Sequence, residues 1–376
     1  FALGAAEGYW RDKSSRFHLE QRLSAFFTPR SVKPDFDLLN KAILRVRNML
    51  NIQNLEKFNF SQIWDSMPKS STTGYPCCTK KGLAREQLFR HFAKDCKALQ
   101  KGKLPYVYPC VAASRVVIRK QPENKPRLVW VYPGPMSFIE SIFSLPLLAH
   151  LKKLPIFGWS FKFMEQGAGW REINRRLKFG YSAYNMDYSS FDATVTAYLI
   201  RVAFDIIFDF FPKTQFNQRA KVFILEYFIN TPIHFYDDVF VKHRGIPSGS
   251  SFTSLVGSLV NLIALQYFSV TFRVGLNSLA VLGDDSFFVI NNSEMHPSDV
   301  LKNFSLSAGS LGLVVNTDKT VIDYGFDEHA FKFLGMPFIN EYPYFEHPVD
   351  EVARRVALPE KRDEEPFDLL VRLHGL

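Results

Sequence analysis

LAVLGDDSFFVI, from Leu279 to Ile290, runs as an apolar stretch into Gly283-Asp284-Asp285 and straight out into a second apolar stretch. Apolar–turn–apolar at this length predicts a β-hairpin with two acids at its tip. Adjacent carboxylates repel each other, and a bound divalent cation relieves that repulsion. Such pairs suit Mg²⁺ and in-line phosphoryl chemistry. A plain solvated turn reads the same way, and the chain holds its own control, since Asp237-Asp238 also lies between apolar runs, HFY and VFV. What separates the two pairs is their company. Nothing around Asp237-Asp238 matches a catalytic pattern, so that pair reads as an ordinary turn.

Upstream, Tyr184-Asn-Met-Asp187-Tyr-Ser-Ser-Phe-Asp192 places one acid at the end of a strand and a second five residues on. Asp187 can face the same metal pocket as Asp284. Asp192, past a turn, can look at a nucleotide sugar, or it can cap the next helix, a plain role for Asp. Gly245-Ile-Pro-Ser248-Gly249-Ser-Ser-Phe-Thr253 is a small-residue loop feeding an apolar helix. Its amides at a helix N-terminus can attract phosphate or orient a base, unless the loop is only a flexible turn with a cap. Arg115 to Arg127 packs five cations into 13 residues, interleaved with β-branched side chains. One cationic strand face can line a triphosphate channel, with Arg clamping phosphate bidentately, or can simply be solvated. Lys319 can protonate a leaving pyrophosphate, or be a surface lysine.

The 376 residues are 47% hydrophobic and 22% charged, enough for a large core and two or three domains or subdomains. A net charge of +9 favours a polyanionic partner, though a basic enzyme fits too. The 37 Phe are mostly core, with a few available to stack on bases. Cys77, Cys78, Cys96 and Cys110 lack CxxC spacing and neighbouring His, which argues against zinc and for a reduced compartment. The chain begins at Phe1 with no basic-then-apolar signal, which reads as a fragment or processed piece. Phe252 to Phe272 carries no charge over 21 positions, long enough to cross a bilayer. Its Thr253, Ser254, Ser258, Asn261, Gln266 and Ser269 make lipid exposure costly, so a buried core helix is expected.

Along the chain, helices are predicted at 41–53, 86–102, 138–154, 194–211, 218–230 and 298–308. Strands are predicted at 183–187 and 313–315, a strand pair around Pro122–Pro126, and hairpins at 233–241 and 331–338. A short amphipathic helix, Pro366 to Leu373, ends the chain. Helices and strands do not alternate strictly, so the class is α+β with an antiparallel sheet.

Together these pieces resemble the right-hand RNA-dependent RNA polymerases of RNA viruses. Ser70-Ser71-Thr72-Thr73-Gly74-Tyr75-Pro76 looks like motif G, the template-entry loop. Lys120 to Arg127 looks like motif F. Asp187 and Asp192 match motif A; Ser248, Gly249, Thr253 and Asn261 match motif B; Gly283-Asp284-Asp285 matches motif C. Lys319 fits motif D and Phe333-Leu334-Gly335 motif E. The wording GIPSGSSFTSLVGSLVN is most similar to the partitivirus and picobirnavirus enzymes of double-stranded RNA viruses. Several picornavirus-like polymerases carry a sugar-sensing Asn four residues after the motif B Thr. Here that position is Gly257, and the role would pass to Ser258 or Asn261.

The resemblance covers roughly residues 65–340 and implies fingers with an N-terminal extension at 1–180 and palm at 181–204. Helices and a hairpin follow at 205–242, then palm at 243–342. The start of a largely missing thumb is expected at 343–376, and with it weak, salt-sensitive RNA binding and poor processivity. Two Mg²⁺ or Mn²⁺ ions would bridge Asp187 and Asp284, with Asp285 assisting. Arg127, with Lys120, Arg119 and Lys125, would hold the triphosphate, and Asp192 would read the ribose 2′-hydroxyl. Template, product duplex, NTPs and a viral capsid protein are the implied partners, without a membrane, in the host cytoplasm inside the virion. A reverse transcriptase-like palm enzyme remains open, although such enzymes usually place a bulky aromatic at the Asp192 position and a residue other than Gly before the Asp pair. A non-catalytic RNA-binding or packaging protein also remains open; it explains the charge but not three placed acids.

Overall fold

In the computed structural model, residues 7–11, 13–115, 118–120, 126–158, 180–323, 332–334, 336–339, 342–343 and 348–358 are described. Lys125, Gly335 and the expected helix at 366–373 lie outside them. So do the side chains of Arg119 and Lys120, although the backbone there forms a strand, Ile118–Lys120, antiparallel to Tyr9–Arg11.

The hairpin predicted around Gly283 forms from Asn277–Leu282 and Asp285–Asn291, which pair up to Leu282 opposite Asp285. It belongs to a four-stranded antiparallel sheet ordered Val321–Asp323, Tyr181–Met186, Asp285–Asn291, Asn277–Leu282. The inner strand reads Ser-Phe-Phe-Val-Ile rather than alternating because both faces are covered. Phe288 and Ile290 enter the main core, with Phe288 stacked on Tyr184 at 5.3 Å between ring centres. Phe287 and Val289 join Ala183, Ala280 and Phe333 in a smaller cluster on the opposite face.

The uncharged stretch forms the core helix Thr253–Phe272, buried on nearly every side. It packs on the helices Phe36–Met49, Ala197–Phe208 and Pro297–Ser310 and on the strand Asn277–Leu282. A second sheet is ordered Arg127–Val131, Cys110–Arg115, Pro232–Phe235, Asp238–Val241. The strand Cys110–Arg115 is antiparallel to the first of these and parallel to Pro232–Phe235. The helix Gly134–Leu151 follows directly after the strand Arg127–Val131 and is almost wholly buried.

Two expectations are corrected. The helix expected from Thr194 starts at Ala197, because Val195 is extended and the Thr196 side chain caps the new helix at the Leu199 amide. The strand expected at 313–315 reduces to one bridge, Val315 with Tyr188. Leu311 and Leu313 are core residues, and the chain turns at Asn316 before the edge strand Val321–Asp323 forms. An apolar run alone does not say whether its residues lie in a ladder or plug a core.

Candidate active site

Antiparallel register assembles the acids. Met186 pairs with Ser286, so Asp187, the next residue, emerges beside Asp285 at the same end of the sheet, with Asp284 in the adjoining turn. The turn has two residues, Gly283 and Asp284, and Gly283 holds φ +61, a conformation glycine takes without strain. Burial is the first reason the Asp285 carboxyl is pushed up to about 6, with Asp284 and Asp187 adding repulsion. Asp187 is also raised, first by burial and then by Asp284, against the opposing pull of Lys319 and a hydrogen bond from the Asn316 side chain. Among the described residues, no group of three or more His, Cys, Asp or Glu side chains is arranged to hold a metal ion by itself. Asp187, Asp284 and Asp285 form an open group of mutually repelling carboxylates. That donor set fits Mg²⁺, a hard ion that keeps waters and shares substrate phosphates instead of occupying an all-protein cage.

The turn is held from beneath by the core helix. Asn261, fully buried, donates from Nδ2 to the carbonyls of Gly283 at 3.0 Å, Asp284 at 3.0 Å and Asp285 at 3.3 Å. Its Oδ1 accepts from the Tyr188 hydroxyl at 3.1 Å. Ser258 Oγ accepts from the Gly283 amide at 2.8 Å and donates to the Ser254 carbonyl. Asn261 and Ser258 are thus corrected from nucleotide contacts to supports of the acidic turn, because their polar atoms are already committed there. Gly257 explains why the helix can come so close: a Cβ on it would lie 3.3 Å from the Gly283 Cα.

Asp192 lies in the first turn of the short helix Phe191–Thr194 and is not a helix cap; Thr196 caps the helix that follows. Burial first, then Asp284, pushes its carboxyl up to about 7, while Arg127 pulls it down. Its backbone carbonyl receives the Ile246 amide at 2.7 Å, which docks the small-residue loop against it. Arg127, exposed at the start of its strand, is in electrostatic reach of Asp192. Ser248 is exposed beside Gly249, and its Oγ accepts from the Trp130 amide at 3.2 Å. Thr253 donates to the Pro247 carbonyl at 2.7 Å and so shapes the loop from within. Lys319 is exposed in the turn after Asn316.

In the loop at 70–76, Thr72 and Pro76 are exposed and Ser71 and Tyr75 half-buried. The Tyr75 hydroxyl stands 3.1 Å from His234 Nδ1. Thr73 and Gly74 are corrected: both are buried, and Thr73 Oγ1 is spent on the Gly74 carbonyl and the Thr79 amide. A run of Ser and Thr does not reveal which hydroxyls fold inward.

Several site residues were not legible beforehand. Asn316 bonds Asp187 through its side chain, and its amide donates to the Asp187 carbonyl at 2.8 Å. Thr320 Oγ1 accepts from the Asp187 amide at 3.3 Å. Lys242, fully buried, donates to the carbonyls of Phe228, Ile229 and Gly245, and so pins the entry to the small-residue loop. The signal available for Lys242 was its place three residues before Gly245; for Asn316 and Thr320 it was only nearness to Lys319.

Residues 38–357 match a family model described as viral RNA-dependent RNA polymerase. The RNA-directed RNA polymerase of Cryptosporidium parvum virus 1 (strain KSU-1) is 35% identical over 400 residues, spanning 98% of this chain and 74% of that protein. The genome polyprotein of Triticum mosaic virus is 25% identical over 294 residues, 75% of this chain and 9% of the polyprotein. Crystal structures of the RNA-dependent RNA polymerase of a human picobirnavirus share the fold. Its insertion-loop deletion mutant aligns at TM-score 0.70 with 16% identity, over 95% of this chain and 71% of the other. The undeleted enzyme aligns at TM-score 0.69 with 16% identity over 95% and 70%.

Proposed function

The chain belongs to the viral RNA-dependent RNA polymerases and is an RNA-directed RNA polymerase, and from that premise we propose that it works by two-metal nucleotidyl transfer to replicate and transcribe a double-stranded RNA viral genome. The observation that carries this reading is the strand register that sets Asp187 beside Asp285, one residue from Asp284. Asp187, Asp284 and Asp285 are the residues that would hold two Mg²⁺ or Mn²⁺ ions, which when bound supply Lewis-acid activation of the attacking 3′-hydroxyl and charge neutralisation of the leaving pyrophosphate.

The other roles fall to the chain's own groups. Arg127 receives the triphosphate of the incoming NTP, aided by Lys120, Arg119 and Lys125. Its fork suits two phosphate oxygens at once. Asp192 reads the ribose 2′-hydroxyl; with its carboxyl pushed up to about 7, it can accept or donate a hydrogen bond near neutral pH. Lys319 gives a proton to the leaving pyrophosphate oxygen. Ser248 and Gly249 contact the incoming nucleotide. Ser71, Thr72, Tyr75 and Pro76 guide the template, and the +9 charge supports contacts to its backbone. Sequence choice is left to base pairing. The setting we propose is the host cytoplasm, inside a virion and in contact with capsid protein. Its support is the likeness of residues 245–261 to polymerases of double-stranded RNA viruses.

The test is incorporation of labelled NTPs on a single-stranded RNA template. Incorporation is expected with Mg²⁺ or Mn²⁺ and none in EDTA. Ion-independent incorporation would sink the two-metal reading.

A further inference from the structure

Glu140 is a fully buried carboxylate that the chemistry above does not use. It projects from the middle of the helix Gly134–Leu151, where the other buried polar residues are Ser137, Ser141 and Ser144. Its Oε1 accepts from the Tyr132 hydroxyl at 2.8 Å. Its Oε2 accepts from Ser250 Oγ at 2.7 Å and from the Ser251 amide at 2.8 Å. All three partners are neutral, and burial pushes the carboxyl up to about 7 against the pull of these bonds. A buried charge is weak evidence for stability, since a well-packed apolar side chain would serve the core at least as well. A carboxylate does offer two acceptor atoms, and here they join two separate segments.

Those segments frame the nucleotide side of the site. Tyr132 follows directly on the strand Arg127–Val131, whose first residue is Arg127. Ser250 and Ser251 belong to the loop whose other end is docked on Asp192 through the Ile246 amide. The loop also lies against the strand itself. The Trp130 amide donates to Ser248 Oγ, and a Cβ on Gly249 would fall 2.0 Å from the Trp130 carbonyl oxygen. Arg127 and Asp192 therefore sit on two pieces of backbone joined through residues 248–251, and Glu140 ties the far end of that joint.

We propose that Glu140 is a positioning residue that clamps the loop at 248–251 to the Tyr132 end of the strand, and so sets Arg127 and Asp192 at the spacing one nucleoside triphosphate needs. The inference rests on the reading of Arg127 and Asp192 as nucleotide contacts. Glu140→Gln is nearly isosteric and keeps only one strong acceptor. Tyr132→Phe removes a single hydroxyl and serves as the gentler variant.

The experiment is steady-state NTP incorporation by the whole chain, normalised to active sites, with thermal melting alongside. Glu140→Gln should raise the NTP KM about tenfold or more, the scale of losing hydrogen bonds to a charged acceptor. Its kcat per active site should change far less. Tyr132→Phe should show part of the same KM effect. The double variant should be little worse than Glu140→Gln alone, because both break one link. Wild-type KM in both single variants, with only a lower melting temperature, overturns the proposal, and so does a fall confined to kcat. Arg127→Ala is the control: if it too has wild-type KM, the nucleotide-site reading fails, and this inference with it.

Discussion

The two acidic hairpins of this chain are nearly the same object placed in different surroundings. Leu282 pairs with Asp285 across the turn Gly283-Asp284, and Phe235 pairs with Asp238 across Tyr236-Asp237. In both turns the first residue is left-handed, at φ +61 for Gly283 and +53 for Tyr236. The second hairpin ends in Asp238–Val241, an exposed edge strand of its sheet. Arg16 stands over the Tyr236 ring and within electrostatic reach of Asp238. The first hairpin ends in an inner strand, against which the core helix sends Asn261 and Ser258, and the neighbouring strand adds a further acid, Asp187. Local sequence makes the turn; the neighbours decide whether its acids meet a cation of the protein or further acids.

The largest contrast is expected between Asp284→Asn and Asp237→Asn. Removing a metal-ligand charge should cost several kcal/mol of barrier, a loss on the order of a thousandfold in NTP incorporation. The exposed Asp237 should tolerate the same change within about twofold. Full activity in both variants would erase the distinction between the hairpins.

Next is the support beneath the first turn, which the second lacks among the described contacts. Asn261→Ala strips hydrogen bonds from three carbonyls and leaves the Tyr188 hydroxyl without its acceptor. A destabilisation of about 2 kcal/mol or more is expected, with activity falling beyond what the folded fraction explains. Chemical denaturation and active-site-normalised rates measure the two effects separately. Unchanged values would mean that the turn holds its shape unaided.

Asp192→Ala should lower the preference for rNTPs over dNTPs by about tenfold, the worth of one hydrogen bond to a carboxylate. Asp238→Ala should leave that ratio alone. Competition assays with paired rNTP and dNTP give the number, and an unchanged ratio in Asp192→Ala would remove its sugar-reading role.

The smallest effect is on stability against pH, in EDTA. Asp285 and Asp192 are pushed up to about 6 and about 7, above the ordinary Asp value. The folded chain therefore holds protons that the unfolded chain has already released, and this contribution is complete at low pH and lost as pH rises through 6 to 7. Asp285→Asn should flatten that decline by a shift on the order of 2 °C in melting temperature between pH 5 and pH 8. Equal pH curves for wild type and Asp285→Asn would show that neither burial nor the neighbouring acids raise the Asp285 carboxyl in the folded state.

Much of the fold was legible because hydrophobic pattern and turn chemistry act locally. Gly283-Asp284 between apolar runs could be little other than a hairpin, and an uncharged stretch dotted with Ser, Asn and Gln could hardly face lipid. Local pattern failed at 313–315, where apolar residues plug a core and form no ladder. It failed again at Thr73, whose hydroxyl is consumed by its own loop. Asn261 was visible as part of a pattern, but its function was misread, since a side chain's partners depend on what packs opposite it.

Sequence alone determined which acids could act together: Asp187, Asp284 and Asp285 were singled out by residue type and spacing, and hairpin formation is a short-range property. Only the tertiary structure decided how those acids are held, through the Met186–Ser286 register, the Asn261 amide under the turn, and the Glu140 carboxylate between strand and loop. Each of these joins residues far apart in the chain, and the energy of such a contact exists only once packing has removed water and fixed both partners.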